Sequence, residues 1–98
     1  MRLPQARLDQ VLDRFREIEA RMGAATDGPE IVRLGKEHAE LKPVADAVLA
    51  LERVKSEAPE LEEMAAGGDA EMAAMARDEL EALKDKLPAL EHEVALLL

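Results

Sequence analysis

The most constraining feature of the sequence is a row of small and aliphatic residues that recurs at alternating steps of three and four. The row comprises Ala73, Ala76, Leu80, Leu83, Leu87, Leu90, Val94 and Leu97. This spacing is the heptad pattern with which one α-helix packs lengthwise against another. It predicts a helix over about residues 69–97, with Asp69 as its N-cap. Such a helix buries its row only against a partner helix, so a partner helix is expected earlier in the chain.

Two earlier segments have helical periodicity. The first, over about residues 5–22, begins after Pro4 and ends at Gly23, a residue suited to a left-handed helix end. Its apolar face contains Leu8, Val11, Leu12, Phe15, Ile18 and Met22. This segment therefore predicts an amphipathic first helix.

The second segment is longer and contains two internal prolines. It covers about residues 29–65 and begins at Pro29, which fits a first helical turn. Its apolar positions are Ile31, Leu34, His38 and Leu41, followed after a slip of phase by Val44, Val48, Leu51, Val54, Ala58, Leu61 and Met64. Pro43 and Pro59 each remove a backbone donor. We predict one long helix kinked near both prolines and, of the two, expect the true break at Pro43.

Composition supports an all-α fold for the single domain formed by residues 1–98. Ala, Leu and Glu fill 48 of the 98 positions, whereas Val, Ile and Thr together fill nine, and a sheet favours β-branched residues. We expect an elongated antiparallel hairpin of the second and third helices, with the first helix packed at the open end. The uncapped apolar run Val94–Leu98 predicts a fragment of a longer chain, with further domains after Leu98, that is able to self-associate.

The residues that carry chemistry are too few and too scattered to predict an enzyme. The absence of cysteine excludes thiol nucleophiles and cysteine-bound metals. His38 lies on the apolar face of the second helix and His92 on the solvent face of the third, and neither belongs to a metal-binding pair. Gly67–Gly68 lacks the spacing of a phosphate-binding loop. We therefore expect no catalytic residue, cofactor or metal, and with no apolar run of spanning length we expect no membrane contact and a cytoplasmic location.

Charge is divided unequally along the chain. Residues 1–50 have a net charge of −1, whereas residues 51–98 carry 13 acidic and 5 basic residues, a net charge of −8. Because an acidic surface repels phosphate, nucleic-acid contacts are expected in the first half. Arg7, Arg14 and Arg21 are seven residues apart and form one row beside the apolar face of the first helix. They either pair with carboxylates of neighbouring helices or contact RNA phosphates, and the sequence leaves both interpretations open.

Two stretches resemble a known family. Glu71–Leu98, which opens EMAAMARDEL and closes LLL, and Val32–Leu41 (VRLGKEHAEL) are similar to the N-terminal helical domain of the bacterial peptide chain release factor 1 family. That family reads a stop codon and triggers peptidyl-tRNA hydrolysis through a codon-reading tripeptide and a Gly-Gly-Gln loop in later domains. Neither element occurs here, because Gly67–Gly68 is followed by Asp69.

The resemblance implies an accessory role in translation termination. In the family this domain projects from the core and approaches the stalk base of the large ribosomal subunit. It would therefore have the ribosome and the remaining domains of its own chain as partners, and no catalytic residue of its own. The alternative from the residues alone is a generic helical-hairpin adaptor that binds a protein partner.

Overall fold

The computed structural model describes residues 3–98, which form three α-helices joined by two short turns. The helices are α1 (Gln5–Ala24), α2 (Gly28–Ala65) and α3 (Ala70–Leu97), and the described residues contain no strand. α3 packs along α2, and the backbone of α1 comes close to that of α2 but not to that of α3. The molecule measures 59 × 27 × 18 Å. The predicted all-α fold, an elongated hairpin with an added N-terminal helix, is confirmed.

The helix boundaries follow from local chemistry. Asp27 caps α2 by accepting a hydrogen bond from the backbone N–H of Glu30, and Asp69 caps α3 by accepting one from Met72 at 3.1 Å. The C-terminal end of α1 differs from the predicted end at Gly23. No glycine in residues 3–98 has a positive φ, and α1 continues to Ala24 before the extended Ala25 ends it.

The three internal prolines interrupt neither long helix. α2 continues through Pro43 and Pro59, and α3 continues through Pro88, so the expected break at Pro43 is wrong. Each proline leaves the carbonyl four residues earlier without its helical partner. These carbonyls belong to Ala39, Lys55 and Lys84, all exposed residues like the prolines themselves. Water can therefore hydrate the unbonded carbonyls, and the helices persist.

The main core lies where all three helices meet. It is formed by Leu8, Leu12 and Phe15 of α1, Ala45, Ala47, Val48 and Leu51 of α2, and Val94 of α3. Val94 is near the end of α3, which is the open end of the hairpin. α1 therefore covers that open end, whereas the other end consists of α2 and α3 alone.

The row of heptad residues forms the inner face of α3. Ala73, Ala76, Leu83 and Val94 are buried, and Leu80, Leu87 and Leu90 are half-buried. Leu97, the last residue of the row, is exposed. The small residues lie next to the hairpin turn, so α2 and α3 can approach each other closely there.

The Asp69 cap provides a test of the hairpin turn. We expect Asp69→Ala to lower the free energy of unfolding by about 1 kcal/mol, because the first turn of α3 loses its side-chain acceptor. Asp78→Ala is the matched control, since Asp78 is an exposed aspartate inside the same helix. Urea denaturation of both variants measures the difference. Equal midpoints would contradict a role for Asp69 in capping.

Candidate functional site

The predicted arginine row lies on α1, and α1–α2 contacts determine the environment of its central member. Arg14 donates from Nε and Nη2 to Oε1 of Glu37 at 2.8 and 2.6 Å, and from Nη1 to Glu17 at 3.2 Å. Glu37 belongs to α2, so this contact joins the two helices. The hydrogen bonds to Glu37 raise the pKa of Arg14 above its ordinary value, because they stabilise the charged guanidinium.

The other two arginines of the row have different surroundings. Arg21 pairs with Glu17 at 2.8 Å, so Arg14 and Arg21 share one carboxylate. Arg7 is exposed, and within residues 3–98 it has no acidic side chain at salt-bridge distance. The three residues therefore do not form one uniform basic surface. Arg7 is the member of the row whose charge is least compensated.

Two further exposed cations, Arg33 and Lys36, lie in the first half of the chain outside the predicted row. Arg33 and Lys36 are exposed near the start of α2 and have no salt-bridge partner among the described residues. The exposed Ile31 and Val32 are adjacent to them. The seven-residue spacing that marks the row in α1 does not extend to Arg33 and Lys36, so no regular pattern in the sequence indicates them.

His38 of α2 packs against α1 near the Arg14–Glu37 contact. Its ring stacks on Phe15 with the ring centroids 4.7 Å apart, and its Nε2 lies 3.3 Å from Oε2 of Glu19. The side chain is half-buried, whereas His92 is exposed. Among residues 3–98, no group of three or more His, Cys, Asp or Glu side chains is arranged to hold a metal ion.

A shallow groove runs between α2 and α3, beyond the main core. Its volume is about 150 Å³, and its walls are formed by Val54, Lys55, Ala58, Glu62, Leu80, Leu83, Lys84 and Leu87. The groove is apolar at its base and charged at its edges. Its walls contain no serine, histidine or aromatic residue, so it resembles an incompletely closed helix interface more than a substrate pocket.

Exposed apolar side chains are concentrated near the ends of the molecule. Met22, Ile31 and Val32 lie beside the α1–α2 turn, and Leu96, Leu97 and Leu98 follow the end of the main core. At the hairpin turn, Met64 of α2 and Met72 and Met75 of α3 are exposed. We call these three residues the methionine tip. No helix among residues 3–98 is long and apolar enough to cross a membrane.

Comparison with known proteins identifies the relatives of the chain. A family model described as the PCRF domain matches residues 11–98. The whole chain is 67% identical to Peptide chain release factor 1 of Caulobacter vibrioides and 59% identical to that of Maricaulis maris, and it covers 27% and 28% of these proteins. Ninety-seven residues are 43% identical to part of Peptide chain release factor 1 of Erythrobacter litoralis.

These matches confirm the resemblance noted in the sequence. They also define its extent, because the chain spans about a quarter of the length of the curated relatives it matches. No solved structure matches the chain significantly.

Proposed function

The chain belongs to the PCRF domain family, and from this premise we propose that it acts in translation termination as an accessory domain of a peptide chain release factor. The observation that supports this proposal is the match of the whole chain to proteins named Peptide chain release factor 1. The sequence contains no Gly-Gly-Gln. We therefore assign stop-codon reading and peptidyl-tRNA hydrolysis to other domains, and we propose no catalytic residue here.

We further propose that the domain contacts the ribosome near the base of the large-subunit stalk, in the cytoplasm. The shape of the molecule supports such a role. The molecule is 59 Å long, and its core is concentrated at the end of the hairpin that α1 covers. The opposite end is a two-helix projection that can extend away from a larger body.

The surface that contacts ribosomal RNA is proposed to lie on the first half of the chain, where the net charge is close to zero. The candidates remain Arg7, Arg14 and Arg21, and their different surroundings support different roles for them. Arg14 joins α1 to α2 through Glu37, which supports a structural role. Arg7 is exposed and is the strongest candidate for a phosphate contact.

Ribosome binding by the chain at several salt concentrations tests this proposal. We expect the chain to sediment with large subunits and Arg7→Ala to lower the slope of log affinity against log salt by about one unit, since one phosphate contact is lost. Thermal melting of Arg7→Ala should match that of the original chain. The triple variant at Arg7, Arg14 and Arg21 should melt earlier, because the link to Glu37 is also lost.

Arg16→Ala is the matched control for this experiment. Arg16 is an exposed arginine of α1 outside the row, at 4.0 Å from Asp13, and its loss should leave the salt slope unchanged. An equal effect of Arg7→Ala and Arg16→Ala would contradict a specific contact at Arg7. Failure of the chain to bind large subunits at any salt concentration would instead favour the alternative function, a helical-hairpin adaptor for a protein partner.

A further inference from the structure

The methionine tip is the largest group of exposed apolar side chains at the closed end of the hairpin. Met64, Met72 and Met75 are 39%, 47% and 62% exposed. Methionine is unbranched, flexible and polarisable, so a group of methionines can adapt to the shape of an apolar partner. The main core, by contrast, lies at the other end of the hairpin and contains none of these side chains.

All three methionines lie on the same flank of the hairpin. Each one immediately precedes an alanine in the interface between α2 and α3, namely Ala65, Ala73 or Ala76. The preceding residue is rotated by about 100° from the interface in each helix. Because α2 and α3 run antiparallel and face each other, this rotation places the preceding residues of both helices on one side. The tip therefore presents exposed methionines from two helices on one flank of the hairpin end.

The opposite flank of the hairpin end has a different composition. Arg77 follows Ala76, so it is rotated to the other side of α3, and its Nη2 donates to the backbone oxygen of Ala65 at 3.3 Å. This hydrogen bond joins the guanidinium of Arg77 in α3 to the C-terminal end of α2. It also means that the one basic residue near the tip faces away from the methionines.

The charge around the methionine tip restricts what can cover it. Residues 57–79 carry eight carboxylates and a single basic residue, Arg77. Glu60 precedes Met64 by four residues and Glu79 follows Met75 by four, so each lies one helical turn from a methionine. This field repels nucleic acid, an anionic lipid surface and the tip of a second copy of the chain. It attracts a basic partner.

We propose that the methionine tip is a docking surface for a basic amphipathic helix of a protein partner. The apolar face of that helix covers Met64, Met72 and Met75, and its lysines or arginines pair with the surrounding carboxylates, including Glu60 and Glu79. This is the helix-in-groove mode of recognition, in which apolar anchors supply affinity and charge selects the partner. The surface is separate from the arginine row, and the inference goes beyond the proposed contact with ribosomal RNA.

A peptide titration followed at the methionine methyl groups tests the proposal. The probe is a synthetic amphipathic helix of leucine and lysine, and the comparison peptides are the same pattern with glutamate for lysine and an oligolysine without leucine. We expect the leucine–lysine peptide to shift the methyl resonances of Met64, Met72 and Met75 and to leave that of Met22 unchanged. Binding should weaken with added salt, because exposed charges are screened.

Several outcomes of the titration would overturn the proposal. Equal binding of the leucine–glutamate peptide would remove the role of charge, and equal binding of oligolysine would remove the role of the methionines. A larger shift at Met22 than at the tip would place the site at the other end of the molecule. Saturable shifts of the tip resonances with an RNA oligonucleotide would identify a nucleic-acid surface instead.

Variants at the tip separate binding from folding. Met72→Gln combined with Met75→Gln should weaken peptide binding by about tenfold or more, since two apolar anchors are lost, while the melting temperature stays the same. Leu49→Gln is the matched control, because Leu49 is also exposed but lies midway along α2. The affinity of this variant for the leucine–lysine peptide should equal that of the original chain.

A second pair of variants tests the charged part of the site independently of the methionines. Glu60→Gln combined with Glu79→Gln should weaken binding at low salt and reduce its salt dependence. Both glutamates are exposed and have no ion pair among the described residues. If neither the methionine pair nor the glutamate pair alters the affinity, the proposal is wrong.

Discussion

Replacement of Leu51 by alanine is expected to lower the free energy of unfolding by roughly 2–5 kcal/mol, the range for fully buried leucines. Leu51 has no exposed surface and belongs to the core where α1, α2 and α3 meet. The truncation removes buried methyl groups and leaves a cavity that three helices must close. Because α1 is attached to the hairpin through this core, a cavity here weakens both helix interfaces.

Leu49→Ala is a control two residues away on the same helix. Leu49 is 44% exposed, so its truncation removes much less buried surface than the truncation of Leu51, and alanine has the higher helix propensity. Its free energy of unfolding should therefore stay within about 0.5 kcal/mol of the original value. Urea denaturation followed by circular dichroism at 222 nm measures both variants. Similar midpoints for Leu51→Ala and Leu49→Ala would show that α2 does not bury the face seen in the structure.

The helical fold was largely predictable because its strongest signal is periodic. The steps of three and four in α3 identify the face that packs on α2 without any knowledge of the partner. Leu83 is buried as the pattern predicts, whereas Leu87 is half-buried beside the groove. We therefore expect a smaller effect at Leu87 than at Leu83, although both belong to the same row.

The centre of α2 was less predictable, because it contacts two helices rather than one. Ala45 and Ala47 are buried in the main core, yet neither belongs to the apolar face that was predicted for α2. Alanine is abundant on both exposed and buried surfaces of helices, so an alanine in the sequence does not by itself indicate whether its position is buried. Only the presence of α1 on one side and α3 on the other shows why small residues are needed at these positions.

The surroundings of the candidate site were predictable only in part. The spacing of Arg7, Arg14 and Arg21 predicts that they share one side of α1, but the spacing does not distinguish paired from unpaired members. That distinction depends on Glu37, which is distant in sequence and reaches Arg14 only when α1 folds back on α2. The common flank of the methionines likewise requires the antiparallel pairing of α2 and α3.

The internal prolines lead to the second large expected effect, which is a gain in stability. Proline in a helix interior is about 3 kcal/mol less favourable than alanine, and Pro43 is exposed, so its replacement sacrifices little packing. Pro43→Ala restores a backbone donor for the carbonyl of Ala39. The unfolded chain also becomes more flexible, which offsets roughly 0.4–1 kcal/mol of the gain. We expect a net stabilisation of about 2 kcal/mol.

Pro29→Ala is the control that tests whether the gain in stability depends on the position of the proline in the helix. Pro29 is in the first turn of α2, where a backbone N–H has no helical acceptor and a fixed φ already suits the helix. Its replacement should leave the free energy of unfolding unchanged or slightly lower, whereas Pro43→Ala should raise the melting temperature clearly. A gain of equal size at both positions would show that the effect does not depend on the restored hydrogen bond to the carbonyl of Ala39. No gain at Pro43 would mean that α2 has relaxed around the proline so completely that the restored hydrogen bond adds nothing.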